Sequence, residues 1–113
     1  SGRSFQRASW ICRDSDVSIS MRLCFLNIVE LHRCEECYAR NKQLKEAREA
    51  YEEGVKNYNQ GHKTHHELIT KFAQGDKIDL DILLVHAECQ MMSAEDFMVI
   101  ASELIDYIAE DIQ

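Results

Sequence analysis

Histidines are the side chains of this sequence best suited to chemistry, and four of the five fall into two groups. His86 interrupts the apolar run ILLVHAECQMM, residues 82–92, while His62, His65 and His66 lie in GHKTHHELI, residues 61–69. Near neutral pH an imidazole can carry a phosphoryl group, act as a general base or bind a metal ion. A histidine on an apolar helix also fits a core residue whose polar atoms are satisfied, so both interpretations of His86 stay open.

A second set of reactive side chains is Cys34-x-x-Cys37, which His32 precedes. A structural zinc site needs a second such pair, and the sequence contains none. A redox pair needs its first cysteine at a helix N-terminus, where the thiol pKa falls. We expect Cys34 to lie in the middle of a helix, which favours structural or incidental thiols.

The elements that position these groups are predicted to be helices, since the chain has no proline and only four glycines. The last third carries an apolar row at steps of three and four residues, which is typical of an amphipathic helix. This row comprises Leu84, Ala87, Met91, Ala94, Met98, Ala101, Ile105, Ile108 and Ile112. A second row widens the apolar face of the same helix and comprises Val85, Cys89, Met92, Ile100 and Leu104.

Two weaker rows predict two further helices. The middle row is Leu44, Ala47, Tyr51, Val55, Tyr58, His62, His65, Ile69 and Phe72, and the first row is Cys24, Ile28, Leu31, Cys34 and Tyr38. Gly75 is expected to end the middle helix, and Asp76 or Asp79 to cap the last one. Asn41 is expected to mark the earlier turn. The sequence therefore predicts an all-α fold, an antiparallel up-down-up three-helix bundle.

Length and composition restrict the class of protein. The 113 residues fit one domain, and we expect residues 1–16 to form an N-terminal arm, disordered or vector-derived, before a single domain at residues 17–113. A net charge of −7 argues against nucleic-acid binding. We find no apolar run that would insert into a membrane and no secretory signal. Five cysteines without a disulfide-framework spacing favour a reduced, cytoplasmic location.

The segment from Ala73 to Ile108 resembles the IIA component of the lactose and cellobiose (chitobiose) type of the bacterial sugar phosphotransferase system. That family has a His-Ala/Gly-Gln-Asp-His-Leu-Met motif early in its last helix, which here reads HAECQMM, residues 86–92. It also has Ala-His-x-x-Gln-Thr near the end of the preceding helix, which here reads GHKTHH, residues 61–66. The resemblance is specific over residues 58–105 and weak in the first helix, where FLNIVELH lacks the family's Ser/Ala-Gly-x-Ala-Arg.

The resemblance implies a phosphohistidine carrier. His86 matches the phosphoryl-accepting histidine, and His62, His65 and Gln90 are expected to stabilise the phosphoryl group. The implied donor is the histidine-containing phosphocarrier protein, the implied acceptor is a cysteine of a IIB component, and no cofactor is expected. The resemblance also implies a homotrimer, and the two apolar rows of the last helix independently predict a chain that is not monomeric.

Cys89 replaces the motif's aspartate, which in the family lies on the threefold axis, and Gln90 replaces its second histidine. A neutral thiol does not require the cation that repeated buried carboxylates require, so we expect no magnesium-type metal site. Three thiols binding a soft ion such as zinc is the alternative. Two other functions stay open, namely a non-catalytic helical docking or regulatory module and a small metal-binding protein that uses histidines and thiols.

Overall fold

The chain folds into three long helices joined by short connections. The computed structural model describes the backbone of residues 2–112 and the side chains of residues 15–112. Helix α1 spans Gly2–Arg33, α2 spans Cys37–Ala73 and α3 spans Ile82–Ile112, and no strand occurs within residues 2–112. All three pairs of helices pack together, with the largest contact between α1 and α2. The predicted all-α three-helix bundle is therefore confirmed.

The N-terminal arm expected at residues 1–16 overlaps the start of α1, which begins at Gly2. The side chains of residues 1–14 lie outside the described residues. The domain boundary at residue 17 therefore stays a prediction.

The core follows the predicted apolar rows closely in α3 and less closely in α2. Seven members of the first α3 row are buried, and the other two, Met98 and Ile112, are half-buried. From α2 the buried residues are mostly small: Ala47, Gly54, Tyr58, Gly61 and Leu68. His62, Ile69 and Phe72, which the α2 row placed in the core, are exposed. The buried stripe of α2 is thus rotated by about one residue from the predicted one.

Gly54 explains how closely α1 approaches α2. A Cβ atom at this position would overlap the methyl group of Met21 and would lie 3.4 Å from the Cβ atom of Ser20. Met21 and Ser20 are both buried in the contact between the two helices. A glycine therefore permits a helix contact that any larger residue would force apart unless Met21 moved.

Both interhelix connections are shaped by local backbone chemistry. Gly75 has φ +94° and follows the end of α2, where its N–H donates to Phe72 O at 3.0 Å and that of Asp76 donates to Lys71 O at 3.1 Å. This pair of bonds is a Schellman motif, so the predicted role of Gly75 is confirmed. The earlier break is at residues 34–36 instead of at Asn41, which lies inside α2.

The position of the first connection follows from packing. Leu31 is the last buried residue of α1. The polar residues after it make no core contact that would stabilise a further turn of the helix. Glu36 adopts an extended conformation, with φ −84° and ψ 131°, and α2 begins at Cys37. No proline or glycine marks this break, which is why the sequence alone did not locate it.

Candidate functional site

His86 lies on the fifth residue of α3, next to the α2–α3 connection, and its side chain is exposed. Helix α3 begins directly after Asp81 because this residue caps it: Leu84 N–H donates to Asp81 Oδ1 at 2.9 Å. The expectation that Asp76 or Asp79 caps α3 is therefore wrong. The core interpretation of His86 is also wrong, since the imidazole faces solvent between two buried residues, Leu84 and Ala87.

Cys89 and Gln90 accompany His86 on the same side of α3. They follow it by three and four residues, the spacings at which helical side chains are neighbours, and both are exposed. A carboxamide one turn from an imidazole offers N–H donors to an anion held by that imidazole. The replaced motif positions therefore lie at the surface next to His86.

His65 meets α3 at Glu88, because His65 Nδ1 and Glu88 Oε1 are 2.7 Å apart across the contact between α2 and α3. The two side chains are 21% and 34% exposed, so the pair is largely shielded from water. Glu88 lies two residues from His86, and helical residues at that spacing project to opposite sides. His65 therefore contacts the side of α3 that points away from His86 in the same chain.

A row of aromatic rings extends this polar contact along α2. The ring of His62 stacks on Tyr58 with centroids 5.6 Å apart and lies 6.1 Å from the ring of His65. The pKa of Tyr58 is raised first by burial of the phenol and then by the neighbouring carboxylate of Glu95 on α3. The seam between α2 and α3 thus holds two histidines and a tyrosine between two carboxylates.

Glu88 and Glu95 are the residues of this seam that sequence reasoning missed. They are seven residues apart and flank the buried row of α3, so both face α2. That heptad spacing beside an apolar row was the available signal.

Two apolar grooves lie beside these residues. One, of about 600 Å³, runs between α1 and α3 and is lined by residues that include Leu26, Val29, Gln90 and Phe97. The other, of about 310 Å³, lies at the α2–α3 connection and includes His65, Phe72, Leu80 and Glu88. Gln90 therefore borders the first groove, and the His65–Glu88 pair borders the second.

The second apolar row of α3 is solvent-exposed in the single chain. Val85 is 49% exposed, Met92 64%, Ile100 50% and Leu104 36%, and Cys89 is exposed among them. On α1, the described large apolar side chains that are exposed include Ile19, Leu23, Leu26 and Val29. This much exposed apolar surface is unusual for a monomer in solution.

The cysteine pair occupies the first interhelix connection. Cys34 follows the end of α1 and Cys37 is the first residue of α2, so the expectation that Cys34 lies mid-helix is wrong. Cys24, Cys34, Cys37 and Cys89 are all free thiols. Within residues 15–112, no group of three or more His, Cys, Asp or Glu side chains is placed to hold a metal ion. Among the described residues, no helix is both long and apolar enough to span a membrane.

Comparison with known proteins identifies relatives of α2 and α3. The family described as PTS system, Lactose/Cellobiose specific IIA subunit matches residues 37–109. The galactose-specific EIIA component of Lactococcus lactis subsp. cremoris (strain MG1363) and the cellobiose-specific EIIA component of Lactococcus lactis subsp. lactis (strain IL1403) are each 30% identical over 67 residues. The aligned segment covers 59% of this chain and 58% of each relative. No solved structure matches significantly.

Proposed function

We propose a phosphoryl-carrier function for this chain, which belongs to the lactose/cellobiose-specific IIA family of the phosphotransferase system. The resemblance noted around His86 is confirmed by that membership. In the proposed cycle the chain works in the cytoplasm, accepts a phosphoryl group from the histidine-containing phosphocarrier protein and passes it to a cysteine of a IIB component. The observation that carries the proposal is an exposed histidine, His86, at the motif position of the family's carrier residue.

His86 is the proposed acceptor. In the first step the bond from phosphorus to the donor's histidine nitrogen breaks while a bond forms from phosphorus to a ring nitrogen of neutral His86. In the second step that bond breaks while phosphorus bonds to a thiolate of the IIB component. Such transfers depend mainly on in-line positioning, and an exposed imidazole near the end of the bundle is accessible to both partners.

Gln90 is the proposed donor to the phosphoryl oxygens from the same chain, because it lies one turn after His86 on the same side of α3. His62 and His65 are the other proposed stabilising residues. Within one chain His65 contacts Glu88 on the opposite side of α3, so we propose that these two histidines reach the phosphoryl group from an adjacent copy.

A homotrimer provides that adjacent copy and would cover the exposed row of α3. Burying the remaining exposed half of a residue such as Ile100 is worth about 1 kcal/mol per chain, half of the value for full burial. Sedimentation is expected to give a mass above that of one chain, and Ile100→Asp to lower it. A wild-type species with the mass of a single chain would contradict the assembly.

Cys89 distinguishes this proposed trimer from one assembled around a hard metal ion. A thiol in place of a carboxylate carries no buried negative charge that requires magnesium. We therefore expect no stoichiometric magnesium by elemental analysis, and an assembly that chelators leave intact.

The phosphoryl-carrier proposal is tested by incubation with phosphoenolpyruvate, the general phosphotransferase enzyme and the phosphocarrier protein. The wild type is expected to gain one acid-labile phosphoryl group by intact mass, and His86→Ala to gain none. The matched control His66→Ala alters another exposed histidine and should label like the wild type. Gln90→Ala should slow labelling about tenfold, the value of one hydrogen bond of about 1.4 kcal/mol.

Stoichiometric labelling of His86→Ala would contradict the assignment of the acceptor. A wild type that takes up no label would contradict phosphoryl transfer and favour the second candidate, a docking or regulatory module. The observation that favours this candidate is that Cys89 and Gln90 stand in place of the motif's aspartate and second histidine.

A further inference from the structure

Two thiols flank the reversal of the chain between α1 and α2. Cys34 follows the last residue of α1, and Cys37 is the first residue of α2. Only Glu35 and Glu36 separate them, and both glutamates are exposed. The objection to a redox pair was a mid-helical Cys34. That objection disappears, because each cysteine lies at the end of a helix and the residues between them are irregular.

The backbone of this connection permits the two sulfur atoms to approach each other. Cys34 N–H donates to Glu30 O at 3.1 Å, and Arg40 N–H donates to Glu36 O at 3.1 Å, so helical bonding continues up to Cys34 and resumes from Glu36. Helices in direct contact have axes about 8–10 Å apart, with Cα atoms about 2.3 Å from each axis. Residues at adjacent ends can therefore reach the Cα separation of about 4.4–6.8 Å that a disulfide needs.

The thiols of the chain differ in their access to a reagent. Cys37 is exposed, and Asn41, one turn later, donates from Nδ2 to its sulfur at 3.5 Å, which holds that sulfur at the start of α2. Cys34 is half-buried. Cys24 is fully buried, and burial raises the pKa of its thiol. Because the thiolate is the attacking form, we expect Cys37 to react first, Cys34 to react second and Cys24 to stay reduced.

We propose that Cys34 and Cys37 form a reversible disulfide by exchange with small-molecule disulfides of the oxidised-glutathione type. In the first step the sulfur of Cys37, having given its proton to water, attacks one sulfur of the external disulfide, whose S–S bond breaks and releases one small thiolate. In the second step the thiolate of Cys34 attacks the sulfur of Cys37 and releases the other small thiolate. Two protein thiols are oxidised, one external disulfide is reduced, and the two released thiolates take up the two protons.

This dithiol lies at the opposite end of the bundle from His86. Helix α2 joins the two ends, and its 37 residues make it about 55 Å long at about 1.5 Å per residue. His86 and Cys89 belong to the first turns of α3, beyond the far end of α2. Cys89 is therefore too distant to bond either cysteine of the pair in the same chain. The proposed exchange goes beyond the phosphoryl-carrier function and leaves His86 accessible.

The test is equilibration of the purified full chain with an excess of oxidised glutathione, followed by acid quenching, alkylation of free thiols, trypsin digestion and mass spectrometry. Cleavage after Arg33 and Arg40 gives a peptide that contains both cysteines of the pair and no other. We expect this peptide to carry no alkyl group and to weigh two hydrogen atoms less than the dithiol. Dithiothreitol should restore both alkylation sites. A wild-type peptide that stays a dithiol, or that keeps glutathione on either cysteine, would overturn the proposal.

Single-cysteine variants separate the two roles. Cys34→Ser should keep glutathione on Cys37, because no second thiol can displace it. Cys37→Ser should acquire glutathione on Cys34 at least about twofold more slowly, because that thiol is less exposed. Equal rates in the two variants would overturn the assignment of Cys37 as the attacking thiol.

Cys89→Ser is the matched control, since it removes another exposed thiol and should form the Cys34–Cys37 link like the wild type. Failure of Cys89→Ser to form the link would overturn the proposed pairing. The buried Cys24 serves as an internal control and should be recovered without glutathione. Circular dichroism of each variant verifies the helical fold.

The disulfide and phosphoryl proposals fail separately. His86→Ala should abolish phosphoryl uptake and still form the disulfide, whereas Cys34→Ser should take up the phosphoryl group and form no disulfide. Loss of the disulfide in His86→Ala would contradict a dithiol site that is independent of His86.

Discussion

The contact between His65 and Glu88 is expected to stabilise the packing of α3 on α2 by about 1–2 kcal/mol. Hydrogen bonds to a charged group contribute about 1.5–3 kcal/mol when shielded, and fully exposed ion pairs about 0.2–1 kcal/mol. The 2.7 Å contact lies between these limits, because its side chains are 21% and 34% exposed. A double-mutant cycle of His65→Ala and Glu88→Ala, measured by urea unfolding near pH 7, isolates this coupling energy.

An exposed ion pair near the N-terminal end of α2 offers a control for this cycle. Lys45 Nζ and Glu49 Oε1 are 4.0 Å apart, with side chains 78% and 63% exposed, so their coupling should not exceed about 0.5 kcal/mol. All variants are compared at one protein concentration, because self-association makes the apparent free energy of unfolding depend on it. A His65–Glu88 coupling no larger than that of the control pair would refute the inference that partial burial strengthens the contact.

Two further predictions concern the seam between α2 and α3 and the start of α3. Burial and Glu95 raise the pKa of Tyr58 above 10.0, so the phenol of the unfolded chain loses its proton first as pH rises, and the free energy of unfolding should fall above about pH 10. Tyr58→Phe should reduce that fall. Equal pH profiles of the two proteins in urea unfolding would contradict this prediction. Asp81→Ala removes the 2.9 Å cap of α3 and should cost about 1 kcal/mol, whereas Asp81→Asn should cost less; equal losses in the two variants would show that side-chain capping is not the cause.

The apolar rows and the glycine signal were readable from the sequence because both depend on local geometry. The row of α3 has a helical period over its whole length, and a helix can bury such a row only on one side. Gly75 is the residue that adopts positive φ at a helix end without strain, so its role was predictable. The capping residue of α3 was not predictable, since several aspartates precede this helix and it begins only after Asp81.

The break before α2 and the exposure of His62 depended on contacts between helices. Asn41 suits a turn by its own preference, yet it lies within α2, and Arg40 beside it bonds Asp111 of α3 at 3.1 Å. The close approach of Met21 to Gly54 helps to set which side of α2 faces the core, and His62 then faces outward. A small rotation of this kind follows from how two helices pack, which the row on one helix does not specify.

The sequence by itself determined the three helices, the family and the candidate acceptor His86, because these depend on periodicity and on a motif within one helix. Only the tertiary structure decided what stands opposite each histidine. It paired His65 with Glu88, stacked His62 on Tyr58 and left His86 exposed on another side of α3. The physical reason is that residues two apart on a helix project to opposite sides. A small rotation of one helix about its axis therefore changes which side chains meet across the contact between two helices.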